Sequence, residues 1–332
     1  MPIKIAINGF GRIGRAAFKI AITNKKYQVV AINDLTDIKT LAHLLKYDSV
    51  YGIAPFKISS DAKNLIVNGK KYPISAEPDP TKLPWKRYKV DVVLECTGRF
   101  VKGEDAKKHL RAGAKKVILS APAKSSNEIK TFVLGVNADK YKGQDVISNA
   151  SCTTNCIAPV TQVMQDNFGV AAAMMTTIHA YTADQNLVDG PHKDLRRARA
   201  SGINVIPTTT GAAIATTEVI PEIKGKFDGL SVRVPVACGS LSDITFVLNK
   251  KVTVEQVNKA LIKASKSVRY QGILLVTSDP VVSSDIVGNP YSSIVDLSLT
   301  KVVDGALVKV VAWYDNEWGY ANRLVEMVNV VK

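Results

Sequence analysis

The feature of this sequence that most constrains its fold is the motif Gly9-Phe-Gly-Arg-Ile-Gly14, because of what surrounds it. The apolar run 3–8 leads directly into the motif, and apolar residues with helical spacing follow it. A second apolar run closes with Asp34, 20 residues after Gly14. A strand, a glycine-rich turn, a helix and a second strand with a terminal carboxylate together form a dinucleotide-binding fingerprint. We therefore expect a Rossmann-type βαβ unit at the start of the chain.

Each position of the motif has a physical role in binding a dinucleotide. Gly9 permits a tight turn, Gly11 lets the backbone approach the pyrophosphate, and Gly14 lets the helix pack against the strand. The N-terminus of the helix faces the anionic phosphates. Asp34 would accept hydrogen bonds from the adenosine ribose and would repel a 2′-phosphate, so the sequence favours NAD over NADP. The alternative is a glycine-rich turn that binds no ligand.

The first half of the chain alternates short apolar runs with helical stretches. Continuous apolar strands separated by helices predict a parallel sheet that is covered on both faces. The predicted strands are residues 3–8, 29–34, 90–97, 117–121 and 133–136. We therefore expect an α/β fold whose first domain, residues 1–150, is a Rossmann-type doubly wound parallel sheet.

The pattern changes from about residue 170, where longer apolar strands predominate. These are residues 174–181, 230–235, 244–248 and 307–314. Longer strands with few helices predict an α+β catalytic domain, residues 151–315, with a mixed, largely antiparallel sheet. This domain includes a charged, turn-rich segment of about residues 182–206. A connection of that length within a domain is usually functional.

Two helices in the second half are predicted by local signals. Thr253 and Gln256 form a capping-box pattern at the start of the first. Its apolar face comprises Val254, Val257, Leu261, Ala264 and Val268. The final stretch, residues 316–332, also has helical spacing of its apolar residues, and we assign it to the first domain. Those residues are Leu324, Val325, Val328 and Val331.

Cys152 is the candidate nucleophile. It lies just before a predicted helix, and a cysteine at a helix N-terminus feels the positive end of the helix dipole, which lowers its pKa towards the thiolate. Pro159 must then lie in the first turn of that helix or kink it. Taken alone, without its neighbours in the sequence, Cys152 fits better as a small buried apolar residue.

His179 is the candidate general base, because it lies at the end of a predicted strand beside hydroxyl residues. A Cys/His pair supplies a nucleophile and a base that also stabilises the thiolate. His43 and His109 lie in helical patterns and His192 lies in the charged segment, so they are weaker candidates. A purely structural role for His179 is the alternative.

The composition limits the classes of protein to which the chain can belong. A length of 332 residues favours two domains, and neither a run of roughly 18 apolar residues nor a signal-peptide pattern is present, so we expect no membrane insertion or secretion. Four cysteines without zinc-ligand spacing predict a reducing cytoplasm and no bound metal. The net charge of +15 permits nucleic-acid binding but equally suits an enzyme that handles phosphorylated anions.

Five stretches of the sequence resemble motifs of the phosphorylating glyceraldehyde-3-phosphate dehydrogenase family, and the resemblance covers nearly the whole chain. They are residues 7–15 (INGFGRIGR), 150–156 (ASCTTNC), 192–199 (HKDLRRAR), 207–213 (PTTTGAA) and 313–320 (WYDNEWGY). The resemblance implies oxidation of glyceraldehyde 3-phosphate to 1,3-bisphosphoglycerate with reduction of NAD, as in glycolysis and gluconeogenesis.

The resemblance also implies how the reaction proceeds. Cys152 would attack the aldehyde and His179 would remove a proton, after which the hemithioacetal would pass a hydride to the nicotinamide. Inorganic phosphate would then displace the acyl group from the resulting thioester. The C3 phosphate of the substrate would bind to Thr182 and Arg233, with Arg197 nearby and shared between the two anion sites. The attacking phosphate would bind to Ser151, Thr153, Thr210 and Gly211. Arginine and hydroxyl groups suit phosphate oxygens, and surface ion pairing is the alternative for the two arginines.

Further residues are assigned to the cofactor and to assembly by the same resemblance. Asn316 would hold the nicotinamide carboxamide. The dinucleotide cleft would be completed by Arg12, Ile13, Thr97 and Ser120. The segment of about residues 182–206 resembles the family's S-loop, which packs against the cofactor site of a neighbouring subunit, so a homotetramer is implied by analogy.

Two stretches depart from the family pattern. Ile214 stands where the family commonly has lysine, and residues 236–242 differ from the usual continuation after Arg-Val-Pro. Both bear on surface charge, interface packing and substrate preference. The alternatives are an erythrose-4-phosphate dehydrogenase of the same architecture, a non-phosphorylating aldehyde dehydrogenase, and a secondary nucleic-acid-binding role that uses the basic charge.

Overall fold

The glycine-rich turn lies between strand β1 (Ile3–Asn8) and helix α1 (Arg12–Thr23), and strand β2 (Tyr27–Asn33) pairs with β1 in parallel. The predicted βαβ unit is therefore confirmed. Two glycines of the turn have no room for a side chain. A Cβ on Gly9 would lie 2.8 Å from a neighbouring backbone carbon, and one on Gly14 would lie 2.1 Å from the carbonyl oxygen of Gly9. Gly9 also has a φ of +91°, which favours glycine.

The computed structural model describes residues 1–124 and 127–332, which divide into two units. The first unit comprises Met1–Phe132, Ala138–Ala150 and Ala321–Lys332, and the second comprises Val133–Asn137 and Ser151–Tyr320. Each unit is built on its own main sheet.

The first unit contains, after β1 and β2, a further set of short strands and helices. Its strands are β3 (Tyr47–Asp48), β4 (Gly52–Ile53), β5 (Ile58–Ser60), β6 (Asn64–Val67), β7 (Lys70–Ser75), β8 (Val92–Glu95), β9 (Lys116–Leu119), β10 (Lys130–Thr131) and β11 (Val146–Ser148). Its helices, after α1, are α2 (Ile38–Lys46), α3 (Trp85–Tyr88), α4 (Gly103–Ala106) and α5 (Lys108–Arg111).

The main sheet of this unit has the strand order β10-β11-β9-β8-β1-β2-β7-β6-β5. Every neighbouring pair from β10 to β7 is parallel, and β7, β6 and β5 pair antiparallel at one edge. Both faces of the central strands are buried, as their continuous apolar sequences require. The predicted Rossmann-type parallel sheet is confirmed.

The prediction of a strand at residues 133–136 is wrong, because the chain turns there. The N–H of Val136 donates to the carbonyl of Val133 at 3.1 Å, and the side-chain oxygen of Asn137 accepts from the N–H of Val133 at 2.8 Å. Gly135 has a φ of +79° within this turn. Both valines are buried. Their apolar character therefore reflects packing of a turn, which a four-residue run cannot distinguish from a strand.

The second unit contains longer strands. They are β12 (Val170–Ala180), β13 (Ile206–Thr208), β14 (Phe227–Val234), β15 (Ser240–Leu248), β16 (Leu274–Thr277), β17 (Ser293–Val303) and β18 (Leu307–Tyr314). They form one sheet in the order β13-β14-β12-β15-β18-β17-β16. The β12–β14 and β16–β17 pairs are parallel and the other neighbouring pairs are antiparallel, which confirms the mixed, largely antiparallel sheet.

Helices of the second half follow the local signals, except at Val268. They are α6 (Cys152–Phe168), α7 (Ala212–Val219), α8 (Val254–Ser265) and α9 (Trp318–Val331). The capping box of Thr253 and Gln256 is present at α8, but Val268 lies beyond the helix and is 90% exposed, so its prediction as a core residue is wrong. Pro159 lies inside α6 rather than in its first turn. The four predicted apolar residues of α9 are buried.

Candidate active site

A cavity of about 350 Å³ lies in the first unit, at the carboxyl ends of β1, β2 and β8. Doubly wound sheets bind their ligands at this edge. The predicted cofactor residues that line it are Gly9, Gly11, Asp34 and Thr97. Its volume is in the range of small-molecule and cofactor sites.

Asp34 is fixed at the wall of this cavity by two backbone donors. One carboxylate oxygen accepts from the N–H of Phe10 at 2.6 Å, and the other accepts from the N–H of Thr36 at 2.9 Å. Each oxygen has a further lone pair that could accept from a ribose hydroxyl. Gly11 is the N-cap of α1 and the first turn of this helix contains no acidic residue, so no carboxylate there competes with a bound phosphate.

Other predicted cofactor residues lie outside the lining of the cavity. The Arg12 guanidinium donates to Asp48 at 3.2 Å, and the backbone N–H of Ser120 donates to the carbonyl of Glu95 at 2.9 Å. Ile13 and Gly14 lie within α1, where Gly14 packs against Gly9.

In the second unit, the predicted nucleophile and base are neighbours. Cys152 begins α6, and the Ser151 side chain caps this helix by accepting from the N–H of Thr154 at 3.1 Å. His179 lies one residue before the end of β12. The Sγ atom of Cys152 is 3.5 Å from Nε2 of His179, within reach for proton transfer.

The tautomer of His179 follows from a carbonyl oxygen that two donors share. The carbonyl of Ala180 lies 2.6 Å from Nδ1 of His179 and 3.1 Å from Nη1 of Arg233. Because a carbonyl can only accept, we assign the ring proton to Nδ1. Nη1 of Arg233 also lies 2.6 Å from Nδ1 and can only donate, so this contact alone would favour an unprotonated Nδ1. The Ala180 carbonyl gives Nη1 an acceptor in place of Nδ1, whereas Nδ1 is the only nitrogen of the His179 ring that contacts this carbonyl. Nε2 is then the unprotonated nitrogen that faces Cys152.

Burial and the charge of Arg233 set the protonation of this pair. Burial lowers the pKa of His179 to about 3, and the positive charge of Arg233 adds to the effect. Burial raises the pKa of the Cys152 thiol, and the charge of Arg233 opposes that rise. The prediction that the position of Cys152 at the helix N-terminus lowers its pKa is therefore wrong, since desolvation outweighs it. The pair at neutral pH is a thiol and a neutral imidazole.

The two predicted phosphate-binding arginines have different surroundings. Arg233 lies opposite His179 in the β12–β14 pairing, and burial lowers its pKa, with the charge of Arg197 contributing. Arg197 forms an ion pair with Asp184 and donates to the Thr208 hydroxyl at 2.8 Å. The two guanidinium groups thus repel each other, and an anion bound between them would relieve that repulsion.

The remaining predicted phosphate residues lie at helix starts or in the long segment. Gly211 is the N-cap of α7, and the Thr210 hydroxyl accepts from the N–H of Ala212 at 3.2 Å. The N–H of Thr182 donates to Gln185 at 3.2 Å. Thr153 lies in the first turn of α6, where its hydroxyl is 2.9 Å from that of Tyr314.

Asn316 is oriented by residues that the sequence did not identify. Its side-chain oxygen accepts from the N–H of Gly239 at 3.2 Å and from the Ser240 hydroxyl at 2.9 Å. Both donors lie in the stretch 236–242. The sequence also missed Tyr314, which links Thr153 to the Thr177 hydroxyl at 2.8 Å. Its motif position was visible, but its partners are distant in sequence.

The described residues include neither a helix able to span a membrane nor a cluster of side chains suited to a metal ion. Across residues 1–124 and 127–332, the helices fall short of the length and hydropathy needed to cross a membrane. The same part of the chain contains no cluster of three or more His, Cys, Asp or Glu side chains arranged to hold a metal ion.

Comparison with known proteins gave matches over nearly the whole chain. Residues 3–103 match the family model described as glyceraldehyde 3-phosphate dehydrogenase, NAD binding domain, and residues 151–316 match the model of the C-terminal domain. The chain is 55% identical to a glyceraldehyde-3-phosphate dehydrogenase of Geobacillus stearothermophilus over 98% of its own length and 97% of the relative. It is 54% identical to glyceraldehyde-3-phosphate dehydrogenase 1 of Bacillus subtilis over the same shares, and 53% identical to the Mycobacterium avium protein over 100% and 99%.

Proposed function

The chain belongs to the glyceraldehyde-3-phosphate dehydrogenase family, and from this premise we propose that it oxidises glyceraldehyde 3-phosphate to 1,3-bisphosphoglycerate with reduction of NAD. The observation that carries the proposed chemistry is the 3.5 Å approach of Cys152 Sγ to His179 Nε2 beside the cation of Arg233. That arrangement combines a nucleophile, a base and an anion partner.

Cys152 and His179 act together in the first step. The Sγ atom attacks the aldehyde carbon while the thiol proton passes to Nε2 and from there to the aldehyde oxygen, which gives a hemithioacetal. Bound NAD would accept the C1 hydride of the hemithioacetal while Nε2 of His179 takes its hydroxyl proton, and the product is a thioester. Inorganic phosphate then attacks the thioester carbon and Sγ departs as the leaving group, which takes back the proton from Nε2. The carbonyl of Ala180 holds a proton on Nδ1 of His179, so that Nε2 is the nitrogen that accepts and returns the proton.

Arg233 and Arg197 bind the C3 phosphate of the substrate in this proposal, together with Thr182. Two mutually repelling guanidinium groups favour an anion with a double negative charge. Phosphate binding would also screen the charge of Arg233, which lowers the pKa of His179, and so would make His179 a stronger base once substrate is bound.

The attacking phosphate occupies a second set of groups in this proposal. Hydroxyl groups and helix N-termini suit phosphate oxygens, and α6 and α7 each begin next to such residues. The set comprises Ser151, Thr153, Thr210 and Gly211.

NAD is the cofactor of this family's first domain, and the residues that hold it here are proposed one by one. Asp34 binds the adenosine ribose, the start of α1 binds the pyrophosphate, and Asn316 binds the nicotinamide carboxamide. The other residues assigned to the cofactor are Gly9, Gly11, Arg12, Ile13, Gly14, Thr97 and Ser120. We further propose that residues 1–150 and 316–332 form the NAD-binding domain and that residues 151–315 form the catalytic domain.

A homotetramer is proposed for the assembly, and exposed apolar residues in the long segment 182–206 support it. Leu187, Leu195 and Ile203 are each about 80% exposed. Several apolar side chains exposed in one segment are typical of an interaction surface.

A cytoplasmic location is proposed from the cysteines. Four free cysteines, one of them the proposed nucleophile, suit a reducing compartment.

The alternative functions have no support in the comparisons. The relatives named above are all glyceraldehyde-3-phosphate dehydrogenases, so neither an erythrose-4-phosphate dehydrogenase nor a nucleic-acid-binding role is favoured. The set proposed for the attacking phosphate also gives inorganic phosphate a role that a non-phosphorylating enzyme would lack.

The proposal is tested by following NADH absorbance with glyceraldehyde 3-phosphate, NAD and inorganic phosphate. Cys152→Ser should abolish turnover, whereas Cys156→Ser, a matched change one helical turn along α6, should keep most of it. His179→Asn should slow turnover by roughly two to four orders of magnitude, the usual loss for a general base. Turnover that survives in Cys152→Ser, or NADH formation that does not depend on phosphate, would refute the mechanism.

A further inference from the structure

A buried carboxylate, Glu95, lies at the end of β8 next to the nucleotide cavity, and it is only 1% exposed. It accepts from the Asn8 side chain at 2.6 Å, from Nε2 of His109 at 2.9 Å and from the backbone N–H of Thr97 at 2.8 Å. The Thr97 hydroxyl is a fourth donor. A buried carboxylate with this many donors is a fixed point in the structure, since burial without partners would be costly.

His109 supports Glu95 from within the buried interior of the first unit. The indole Nε1 of Trp85 donates to Nδ1 of His109 at 3.0 Å. Because an indole nitrogen can only donate, we assign the His109 proton to Nε2, where it is donated to Glu95. Trp85 and His109 are both completely buried. The two hydrogen bonds therefore run in one direction: Trp85 donates to His109, and His109 donates to the Glu95 carboxylate.

Glu95 also orders the ends of two neighbouring strands. Asn8 pairs in register with Glu95 on one side and with Asn33 on the other. The Asn33 side chain donates to the Asn8 oxygen at 2.8 Å, and its own oxygen accepts from the N–H of Glu77 at 2.9 Å. These hydrogen bonds fix which way the side-chain amides of Asn8 and Asn33 point, because the oxygen of each accepts from a neighbouring N–H donor. Four members of the network line the cavity, namely Asn8, Asn33, Glu77 and Thr97.

The network reaches the glycine-rich turn through Thr97. A Cβ on Gly9 would lie 2.8 Å from the backbone nitrogen of Thr97, so the backbone of the turn packs directly against this residue. The N–H and hydroxyl of Thr97 are both held by Glu95. A shift of Thr97 would therefore be transmitted to Gly9, and close packing leaves no gap to absorb it.

We propose that Glu95 is a positioning residue for the adenosine and pyrophosphate part of the cofactor, and that His109 and Trp85 hold it in place. The inference rests on the proposed binding of NAD at this cavity. Glu95 itself is buried and touches no ligand; it acts by fixing Asn8, Asn33 and the Thr97 backbone against the glycine-rich turn. Neither Glu95 nor Trp85 was selected from the sequence, although a glutamate closing an otherwise apolar strand was a visible signal.

The test compares Glu95→Gln with Glu104→Gln, the same change at an exposed carboxylate of the first unit. Binding of NAD and of ADP-ribose to the full-length protein is measured by titration calorimetry. The glutamine side chain carries an NH2 group, which would face one of the donors that the carboxylate accepts from, so at least one hydrogen bond is lost. We therefore expect Glu95→Gln to weaken the binding of NAD and of ADP-ribose by about tenfold, the effect of losing one charged hydrogen bond. Glu104→Gln should bind both as the unaltered protein does. At saturating NAD, kcat and the KM for glyceraldehyde 3-phosphate should stay within about twofold, since the hydrogen-bond partners of Glu95 include none of the residues proposed for catalysis or substrate binding.

Four results would overturn the inference, three with Glu95→Gln or the unaltered protein and one with Trp85→Phe. Unchanged affinities in a folded Glu95→Gln variant would leave Glu95 with a purely structural role, and a loss confined to NAD would place its effect at the nicotinamide. Failure of the unaltered protein to bind either ligand would refute the proposed NAD site as well. If Glu95→Gln does not fold, Trp85→Phe decides, because it keeps the carboxylate and removes only the donor to His109. Loss of this neutral hydrogen bond should weaken both ligands by about two- to threefold, and no change would overturn the inference.

Discussion

The hydroxyl of Ser240 donates to the side-chain oxygen of Asn316 at 2.9 Å and accepts from the N–H of Ala180 at 3.1 Å. This relationship joins β12, which carries the proposed base, to the residue proposed to bind nicotinamide. Because the Asn316 oxygen is occupied by protein donors, the amide group is the part that can donate to a carboxamide. The stretch that departs from the family pattern thus supplies the support for Asn316.

Ser240→Ala should therefore impair the nicotinamide end of the cofactor selectively. Loss of one buried hydrogen bond is worth about 1 kcal/mol, so we expect a several-fold rise in the KM for NAD. ADP-ribose, which lacks nicotinamide, should bind with unchanged affinity in calorimetry. Ser265→Ala is the control, since that hydroxyl donates within α8. Equal losses for both ligands would show that Ser240 does not act through Asn316.

The effect of the Arg233 charge on the pKa of Cys152 should be measurable from the pH dependence of Cys152 alkylation. Arg233 lowers the pKa of Cys152 and also that of His179, so removal of the charge in Arg233→Gln should raise both. We expect the alkylation profile with iodoacetamide, followed by mass spectrometry of the Cys152 peptide, to move to higher pH. At a fixed pH near neutrality, the variant should react more slowly because less thiolate is present.

Arg269→Gln provides the matched control, because Arg269 belongs to the same unit and binds the carbonyl of Gly135 and the carboxylate of Asp166. It should leave the profile unchanged. Burial raises the pKa of Cys96 and of Cys156 to about 12, so neither should contribute below that pH. An unshifted profile in Arg233→Gln would mean that its charge does not govern the Cys152 thiol.

The parts of the fold that local signals specify could be predicted from the sequence. The strand, glycines and helix of the βαβ unit, and the capping box of α8, depend on residues close together in the chain. The turn at residues 133–136 could not be predicted, because its two valines are buried by packing of the turn and so give the same apolar pattern as a strand. The raised pKa of Cys152 was also out of reach, since desolvation depends on what surrounds the thiol after folding.

The candidate site shows the same division. Cys152 and His179 were found from chain position and residue type. Their supporting residues were not, because each contact joins distant parts of the chain: Ser240 and Asn316 are 76 positions apart, and Asn8 and Glu95 are 87 apart. A serine or glutamate carries no local sign of such a partner.

The two glycines that flank the Arg-Ile pair of the turn should separate folding from cofactor binding. In Gly14→Ala, the new methyl would lie 2.1 Å from the carbonyl oxygen of Gly9, and the backbone must shift. Overpacking of this kind costs about 1–3 kcal/mol, so we expect a lower Tm together with weaker NAD binding.

In Gly11→Ala, nothing lies within 4 Å of the new methyl, and the Tm should be unchanged. If the pyrophosphate approaches the backbone at Gly11, the methyl should nevertheless weaken NAD by about tenfold or more. Calorimetric titration and thermal unfolding of both variants give the two readouts, and a Gly11→Ala variant that binds NAD normally would show that the phosphates do not approach this residue.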